Sequence, residues 1–253
     1  MDFVYQALLS AREERGGGFL LLIDPDRSEP RDYLTLASAA ADSGVDAILV
    51  GTSFMMAGNF SAAVEEIKSV TQLPVVIFPG SYTQITSSAD AILFTSLISG
   101  RNPQYLIDEQ VKGAPFIKAA GLEAIPTGYM LIESGPLTSV QFISASLPIP
   151  RNKPDIACAH ALAAQYMGMK LAYLEAGSGA EKAVPVEMVK AVSSIVDIPL
   201  MVGGGLHTPE DCASRVEAGA SFIIMGTRLE RDRSLTRLRE LTAASHPREA
   251  VRV

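Results

Sequence analysis

A predicted strand that ends in a glycine-rich turn decides the fold of this chain, and it reads Tyr173-Leu174-Glu175-Ala176-Gly177-Ser178-Gly179. Two more predicted strands, at residues 199–202 and 221–225, end in glycines at residues 203–205 and in Gly226-Thr227. Glycine permits positive φ and a close approach of the backbone, so that N–H groups can point at an anion. In an eight-stranded βα barrel the phosphate site lies in the loops after the seventh and eighth strands. The three strand ends therefore predict a phosphate site in such a barrel.

Eight apolar runs with intervening crossovers extend this pattern along the chain. The runs are continuous and do not alternate with polar residues, which is typical of parallel strands buried on both faces. A doubly wound open sheet is the alternative, but no GxGxxG turn follows the first strand. The sequence predicts a single-domain (βα)8 TIM barrel over residues 1–253, with strands at residues 20–23, 46–50, 74–78, 91–94, 125–133, 171–175, 199–202 and 221–225.

Helix signals separate several of these strands. A stripe of small and apolar residues over residues 30–43 predicts a helix that ends at Gly44. Thr208, with proline directly after it and Asp211 three residues later, predicts a capped helix start. Residues 134–154 have little periodicity and include four prolines. Because loops of that length in compact domains are usually functional, we expect this segment to serve the site.

Composition excludes some classes of protein. The net charge of −7 argues against a nucleic-acid-binding protein, whose phosphate contacts need a basic surface. Cys158 and Cys212 are the only cysteines and form no CxxC pair, so neither a disulfide scaffold nor a zinc site is expected. The first residues show no signal-peptide pattern, and the apolar runs are too short to span a bilayer. We therefore expect a cytoplasmic protein with at most peripheral membrane contact.

Carboxylates and hydroxyls follow the first two strands. Asp24 directly ends a buried strand, and a carboxylate at that rim suits a hard cation such as magnesium, so we favour a metal ligand over an exposed side chain. For Asp26 a metal ligand and a turn cap are equally open. Ser53 follows the second strand and could complete a magnesium shell or cap a helix.

Glu175 ends the sixth strand, and Tyr173, two residues earlier, faces the same side. A carboxylate in this place could accept a proton from a hydroxyl nucleophile or stabilise a developing cation. A structural ion pair is the alternative. For His207, close behind the glycines of residues 203–205, we favour a helix-entry or surface histidine over a phosphate contact.

An ordered set of segments carries a resemblance to a known family. The chain resembles the geranylgeranylglyceryl phosphate synthases, prenyltransferases that make the first ether bond of archaeal-type lipids, and it is similar to the larger of the two branches of that family. The matching segments span nearly the whole chain and are residues 22–26, 51–53, 78–81, 97–103, 123–129, 149–154, 173–179, 203–205 and 226–227.

The resemblance implies a modified (βα)8 barrel that joins the C3 hydroxyl of sn-glycerol 1-phosphate to geranylgeranyl diphosphate, or a related prenyl diphosphate, with magnesium. It implies Asp24 and Ser53 as magnesium ligands, Glu175 and Tyr173 at the nucleophilic hydroxyl, and a homo-oligomer, dimeric or hexameric. It also implies a set of residues that hold glycerol 1-phosphate: Tyr173, Leu174, Glu175, Ala176, Gly177, Ser178, Gly179, Gly204, Gly205, Gly226 and Thr227.

The positions around the first aspartate depart from the family pattern, and the residues that would hold the prenyl tail stay open. Where the family commonly has a basic residue just before its first aspartate, or Lys after it, this chain has Leu22 and Arg27, and an Arg reaches a diphosphate as a planar fork. The prenyl tail needs an apolar groove, although ordinary core packing or a subunit contact explains each candidate taken alone. The candidates are Phe78, Tyr82, Ile85, Tyr105 and Tyr129.

Two other functions fit the glycine turns. A phosphosugar isomerase or lyase on the same barrel would use Asp24 and Glu175 as its carboxylates and would work without magnesium. A non-catalytic phosphate-ligand-binding protein would bind glycerol phosphate without turnover. Unrelated barrels bind phosphate with the same kind of glycine turn. The turns therefore indicate a class of ligand but not which reaction is catalysed.

Overall fold

Eight parallel strands form a closed barrel in sequence order, and the last strand pairs with the first. This computed structural model describes residues 3–56, 59–232 and 234–248, without the side chains of residues 227, 228 and 231. The predicted TIM barrel is confirmed. The strands are β1 (Gly18–Ile23), β2 (Ala47–Val50), β3 (Val75–Ile77), β4 (Ala91–Leu97), β5 (Glu123–Leu131), β6 (Leu171–Glu175), β7 (Leu200–Gly203) and β8 (Phe222–Met225).

Helices surround the barrel and cover the outer faces of its strands. Short turns add to them: 3-10 turns at Ala41–Ser43 and Tyr82–Gln84, and a π-helical turn at Gln104–Asp108. The helices in the described part of the chain are α1 (Phe3–Arg15), α2 (Pro30–Ala39), α3 (Phe60–Val70), α4 (Glu109–Ala120), α5 (Ser139–Ser144), α6 (Pro154–Tyr166), α7 (Val186–Ser193), α8 (Pro209–Glu217), α9 (Thr227–Asp232) and α10 (Leu235–Ser245).

Two predicted helix boundaries agree with the structure. Thr208 accepts a hydrogen bond from the Asp211 amide at 3.1 Å, and the Asp211 carboxylate accepts one from the Thr208 amide at 3.0 Å. Gly44 follows the 3-10 turn after α2 with φ of 84°, a left-handed conformation that stops a helix. Both signals are local in sequence, so tertiary packing was not needed to predict them.

The barrel closes at its amino end with helix α1, which the sequence analysis did not predict. Val4 and Leu8 are the buried residues of α1, and they pack into the layer of side chains that fills the barrel interior. The amides of Val4 and Tyr5 donate to the Glu123 carboxylate at 2.6 and 2.9 Å. Because few positions of α1 are buried, its apolar pattern is too weak to identify the helix from the sequence.

The crossover between β3 and β4 carries only the 3-10 turn Tyr82–Gln84 where other crossovers carry α-helices. The sequence predicted no helix there. Helix α4 covers part of this side, with Gly113 against the side chains of Ile85 and Tyr82. The thin crossover therefore leaves space between the barrel wall and α4.

A buried ionic cluster ties the two ends of the chain to the bottom of the barrel. The Asp46 carboxylate accepts the Phe19 amide at 2.7 Å and contacts Arg15 Nη1 at 2.8 Å. The same carboxylate lies 3.0 Å from His246 Nε2, and the side chains of Asp46 and His246 are at most 3% exposed. Losing one charge of such a cluster leaves the others without compensation.

We expect Asp46→Asn to lower the free energy of unfolding by about 3 kcal/mol, because it removes the anion of a buried cluster. The control Glu240→Gln breaks a surface pair with Arg237 at 3.3 Å and should cost at most about 0.5 kcal/mol. Urea unfolding at pH 7 measures both values. Equal losses in the two variants would contradict this account of the cluster.

Candidate active site

A cavity of about 500 Å³ opens at the carboxyl ends of the strands. Asp24 follows β1, Glu175 ends β6 and Gly204 follows β7, so the early and late strand ends face one space. Most of the residues that the sequence singled out line it, namely Asp24, Ser53, Tyr173, Glu175, Gly177, Ser178, Gly179, Gly204, Gly205 and Gly226.

Three of the predicted residues lie differently. Leu174 and Ala176 are buried in the layer between the sheet and the surrounding helices, because side chains alternate along a strand. Only their backbone atoms can serve the cavity. Thr227 begins helix α9, and its side chain lies outside the described part of the structure.

The glycine turns form a concave backbone surface on one side of the cavity. Gly177 and Gly179 have φ of 102° and 75°, and Gly204 and Gly205 have φ of 78° and 66°. A Cβ built on Gly226 would lie 2.5 Å from the Leu22 carbonyl oxygen, so a larger residue does not fit there. Turns that contain left-handed residues can point their backbone amides into one concavity, which makes a binding site for an anion.

Glu175 is buried beside this surface. The Tyr173 hydroxyl donates to its Oε2, and the Gly177 amide donates to its Oε1 at 2.5 Å. Burial raises the pKa of Glu175, although both hydrogen bonds act in the opposite direction. Within the described residues no cation pairs with this carboxylate, so the structure offers no support for a structural ion pair.

Gly203 belongs to the glycine turn that predicts the phosphate site, and in the structure it has a further role, because it makes room for Tyr173 and Glu175. It lies opposite Glu175 in the β6–β7 pairing. A Cβ there would stand 2.5 Å from the Tyr173 hydroxyl oxygen and 2.9 Å from Glu175 Oε2. The run of three glycines can be read from the sequence, but the sequence does not show that Gly203 lies opposite Glu175 on the neighbouring strand.

An aromatic cluster stands next to Glu175 inside the barrel. The rings of Tyr129 and Tyr173 meet edge to face at 5.2 Å, and the Phe78 ring lies 5.7 Å from Tyr173. Burial, and then the nearby Glu175 charge, raises the pKa of both tyrosines well above its ordinary value. Both hydroxyls therefore stay protonated at neutral pH, and Tyr173 acts as a donor to Glu175.

Asp24 stands across the cavity from the glycine surface. Its carboxylate accepts the Asp26 amide at 3.1 Å and lies 3.2 Å from Arg27 Nε. Burial raises the pKa of Asp24, and the Arg27 charge and a hydrogen bond from Thr52 oppose that shift. A metal cation bound next to Asp24 would offset the same desolvation of its carboxylate.

The residues around Asp24 fit a magnesium ion that is shared with a phosphate ligand. Ser53 and Thr52 bring hydroxyl oxygens to the same side of the cavity. Among the described residues, no three His, Cys, Asp or Glu side chains cluster as a metal site. Magnesium is usually held by one or two carboxylates, with waters and substrate phosphates completing its shell. This donor set matches that pattern.

Glu230 is a half-buried carboxylate of the site that the sequence did not reveal. It lies on α9 and lines the cavity, and its Oε1 accepts the Asp24 amide at 2.8 Å. Burial raises the pKa of Glu230 to about 7, against the effect of that hydrogen bond. In sequence it resembles the other charged residues of a solvated helix, so only the fold reveals its place.

We expect Glu230→Gln to change how stability depends on pH. The folded protein keeps the Glu230 proton up to a pKa of about 7, whereas the unfolded chain releases it near 4.5. Raising the pH through this window therefore removes stability from the wild type, by roughly 2–3 kcal/mol between pH 5 and 8, and the variant escapes that loss.

Urea unfolding with a chelator present measures this difference, since a divalent cation near Asp24 would change the proton affinity of Glu230. The surface substitution Glu240→Gln serves as the control and should leave the pH curve of the wild type unchanged. Parallel curves for the wild type and Glu230→Gln would show that Glu230 titrates normally.

Asp26 and His207 have separate surroundings. Asp26 Oδ2 accepts the Met56 amide at 2.8 Å in a turn outside the main cavity. The His207 amide donates to Asp211 at 2.9 Å, as expected at a helix entry. The His207 side chain also lines the cavity, where its buried Nδ1 has no hydrogen-bond partner in the described part. It is thus available to a ligand.

An apolar arm extends the cavity away from the glycine surface, toward the thin crossover between β3 and β4. All five residues that the sequence proposed for an apolar groove line the cavity, and α4 contributes further side chains. The arm is made of Phe78, Tyr82, Ile85, Tyr105, Gly113, Ile117 and Tyr129.

Among the described residues, no helix has the length and apolar character to cross a membrane.

Comparisons with known proteins agree with this geometry. Residues 9–245 match the PcrB family. A geranylgeranylglyceryl phosphate synthase of Chitinophaga pinensis is 40% identical over 243 residues, 96% of each chain. One of Thermococcus kodakarensis is 45% identical over 228 residues, 90% of each chain.

Solved structures give the same result. The (S)-3-O-geranylgeranylglyceryl phosphate synthase of Thermoplasma acidophilum, solved with sn-glycerol-1-phosphate, matches with a TM-score of 0.90 at 35% identity, covering 97% of this chain and 99% of that one. Tryptophan synthase of Mycobacterium tuberculosis, at 17% identity and a TM-score of 0.60, shares the fold alone. This chain therefore belongs to the PcrB family, the family of the geranylgeranylglyceryl phosphate synthases.

Proposed function

We propose that this protein transfers a prenyl group from its diphosphate to the C3 hydroxyl of sn-glycerol 1-phosphate. The ether bond forms between that hydroxyl oxygen and the allylic carbon, the bond from this carbon to the diphosphate breaks, and the hydroxyl proton moves to the protein. The observation that carries the proposal is one cavity that joins a glycine-lined anion surface, a buried carboxylate and an apolar arm. Family membership and the ligand of the Thermoplasma acidophilum relative support it.

The glycine surface would hold the phosphate of the acceptor. Its backbone amides need no positive side chain, which agrees with a net charge of −7. Arg27 Nη1 lies 3.2 Å from the Ser178 hydroxyl, so one cation borders this surface. Held there, the glycerol moiety would extend toward Glu175.

We expect Gly204→Ala to raise the KM for glycerol 1-phosphate about tenfold or more. A methyl group at φ of 78° would overlap Glu175 Oε1 and lie 2.6 Å from the Gly177 nitrogen, which distorts the anion surface. Gly168→Ala is the matched control, with φ of 80° and no atom within 4 Å of the new methyl group. The left-handed backbone should cost each variant about 1 kcal/mol of stability, and Gly204→Ala should lose more because its methyl group also meets backbone atoms of Gly177.

Steady-state kinetics at varied concentrations of glycerol 1-phosphate distinguish Gly204→Ala from Gly168→Ala. Only Gly204→Ala should change the KM, because the strain of the left-handed backbone is common to both. An equal rise of KM in Gly168→Ala would mean that general destabilisation causes the effect.

Glu175 would accept the hydroxyl proton of the acceptor. The raised pKa that burial causes makes its carboxylate a stronger base than an exposed one. The Tyr173 hydroxyl and the Gly177 amide fix its orientation. The rings of Tyr129 and Phe78 line the same cavity, and a ring whose face meets the allylic carbon would stabilise positive charge that develops there.

Magnesium is the proposed cofactor, held by the Asp24 carboxylate and the Ser53 hydroxyl at the cavity wall. When bound, it would neutralise the leaving diphosphate and so ease the break of the allylic bond. Arg27, 3.2 Å from Asp24, can supply further hydrogen bonds to a diphosphate from its planar fork. Glu230 holds the Asp24 loop in place through the amide of Asp24.

The apolar arm would take the prenyl chain. Phe78 and Tyr129 lie nearest the reacting centre, and Ile85, Gly113 and Ile117 lie toward α4. Burial of methylene groups against these side chains supplies binding energy of about 0.8 kcal/mol for each group. A donor of several isoprene units would therefore bind mainly through this arm.

A homo-oligomer, dimeric or hexameric, and a cytoplasmic location remain our proposals. Support for the oligomer comes from α4 and the π-helical turn before it, where Ile107, Val111 and Phe116 are each more than half exposed. Tyr82 stacks on Phe116 at 6.4 Å. Such a patch is typical of a subunit contact. Light scattering on the purified protein would measure the mass, and a monomer at micromolar concentration would contradict this part.

Product mass spectrometry with labelled glycerol 1-phosphate, magnesium and prenyl diphosphates of C15 to C35 tests the proposed reaction. We expect an organic-extractable ether phosphate and released diphosphate. Binding of glycerol phosphate without turnover on any donor would favour a non-catalytic binding protein. Magnesium-independent activity on a ribose phosphate would favour an isomerase or lyase.

A further inference from the structure

Large apolar side chains are exposed around a shallow groove beside the mouth of the cavity. Phe54 and Met56 follow β2 and are 57% and 78% exposed. Leu137 and Phe142 come from the segment after β5 and are 63% and 74% exposed. These four residues, which we call the rim patch, line one groove although they are far apart in sequence. Clustered exposure of this kind marks an interaction surface.

The two charged groups that the structure describes along the groove, Asp26 and Arg27, both contact other parts of the protein, although the Arg27 side chain is 41% exposed. Asp26 accepts the Met56 amide at 2.8 Å. Arg27 contacts Asp24 at 3.2 Å and the Ser178 hydroxyl at 3.2 Å. The four residues of the rim patch are more exposed than Arg27, so most of the exposed surface of the groove is apolar and an apolar partner fits it better than a charged one.

The rim patch is continuous with the cavity through helix α5. Val140, Ile143 and Ser144 line the cavity. On the same helix Ile143 and Phe142 line the outer groove. One face of α5 therefore lines the cavity of the proposed reaction site, while Phe142 on the same helix is exposed next to it. Whatever covers the rim patch lies directly at the entrance of the reaction site.

We infer that the rim patch rests on the surface of a lipid bilayer, so that the prenyl donor enters and the lipid product leaves without passing through water. This inference depends on the proposed function, which places a long hydrocarbon chain in the cavity. Both donor and product carry apolar tails that partition into membranes. Phe, Met and Leu are side chains that insert at the boundary between head groups and acyl chains.

Charge decides which bilayer the rim patch should prefer. The chain has a net charge of −7, and Arg27 is the one basic residue that lines the groove in the part of the chain that the structure describes, so we expect little attraction to anionic head groups. Contact must then come from apolar burial. We expect binding to zwitterionic phosphatidylcholine that survives high salt and weakens when anionic lipid is added.

Sedimentation with sucrose-loaded vesicles of pure phosphatidylcholine tests the inference on the full chain. The double variant Leu137→Ser/Phe142→Ser should reduce the vesicle-bound fraction at least fivefold. The matched control is Tyr166→Ser/Met167→Ser, which removes two side chains that are 81% and 70% exposed. Tyr166 ends α6 and Met167 follows it, at the opposite end of the barrel from the rim patch, so this variant should bind as the wild type does.

Activity with geranyl diphosphate, a short and water-soluble donor, separates this inference from the proposed function. Both double variants should turn it over as the wild type does, while only Leu137→Ser/Phe142→Ser should lose rate when a C20 donor is supplied in vesicles. Normal turnover without any vesicle binding by the wild type would overturn the inference and leave the function intact. Equal losses in both variants, or a fall in oligomeric mass of Leu137→Ser/Phe142→Ser alone, would also overturn it.

Discussion

Glu175→Gln should lower kcat by two to four orders of magnitude, the usual contribution of a positioned general base. The amide keeps the shape of the side chain, and its oxygen can accept from the Gly177 amide while its NH2 group donates to the Tyr173 hydroxyl oxygen, but it cannot take the proton of the acceptor hydroxyl. Steady-state rates at saturating substrates measure the loss. The KM for the acceptor should change little, since the phosphate is held by the glycine turns.

The pH dependence of the same variant gives an independent measurement. Burial raises the pKa of Glu175, so the acid limb of the wild-type kcat profile should lie above the ordinary glutamate pKa of about 4.3. The limb should vanish in Glu175→Gln. Stability should not fall in this variant above that pKa, because the ionised carboxylate is the form that burial disfavours.

Glu181→Gln is the control, since Glu181 is an exposed glutamate a few residues further along the same loop. It should keep the rate and the pH profile of the wild type. A Glu175→Gln enzyme with more than a tenth of the wild-type kcat would show that another group receives the proton.

Asp24→Asn should also nearly abolish turnover, by at least a hundredfold. The asparagine side chain can accept the Asp26 amide but has no charge, so it neither attracts a cation nor orients Arg27. Ionisation of an allylic diphosphate depends on neutralising the leaving group, and this variant loses that support. Calorimetric titration of magnesium pyrophosphate should show weaker binding in parallel with the lower kcat.

Asp26→Asn provides a matched control two residues away. Its amide oxygen can still accept the Met56 amide, and the residue lines the outer groove and not the cavity. We expect wild-type kinetics and wild-type binding of magnesium pyrophosphate. Unimpaired activity of Asp24→Asn would remove Asp24 from the proposed metal site.

Much of the barrel and of the anion surface was predictable because its signals are local. The continuous apolar runs of β2 and β8 are buried on both faces, which is the property that distinguishes parallel strands. The glycines at residues 177, 179, 204 and 205 all adopt positive φ, which glycine does without steric strain. Tyr173 and Glu175 share a side because of the two-residue period of a strand.

Other parts of the site depend on contacts between distant segments. Glu230 resembles a surface residue until α9 packs against the β1 loop and Asp24 donates to it. Leu174 and Ala176 lie in the sequence of the glycine turn, but their side chains face the outer layer of the barrel. Helix α1 has two buried residues and is recognisable only through its contact with Glu123.

The sequence by itself determined the strands, the order of the barrel and the glycine turns, since each follows from neighbouring residues and the geometry of the backbone. Only the tertiary structure decided the apolar arm, the position of Glu230 and the rim patch. These features arise where the thin crossover after β3 leaves space beside α4, and where residues as far apart as Phe54 and Phe142 meet. Closure of the barrel brings such residues together, and no local pattern encodes the distance between them.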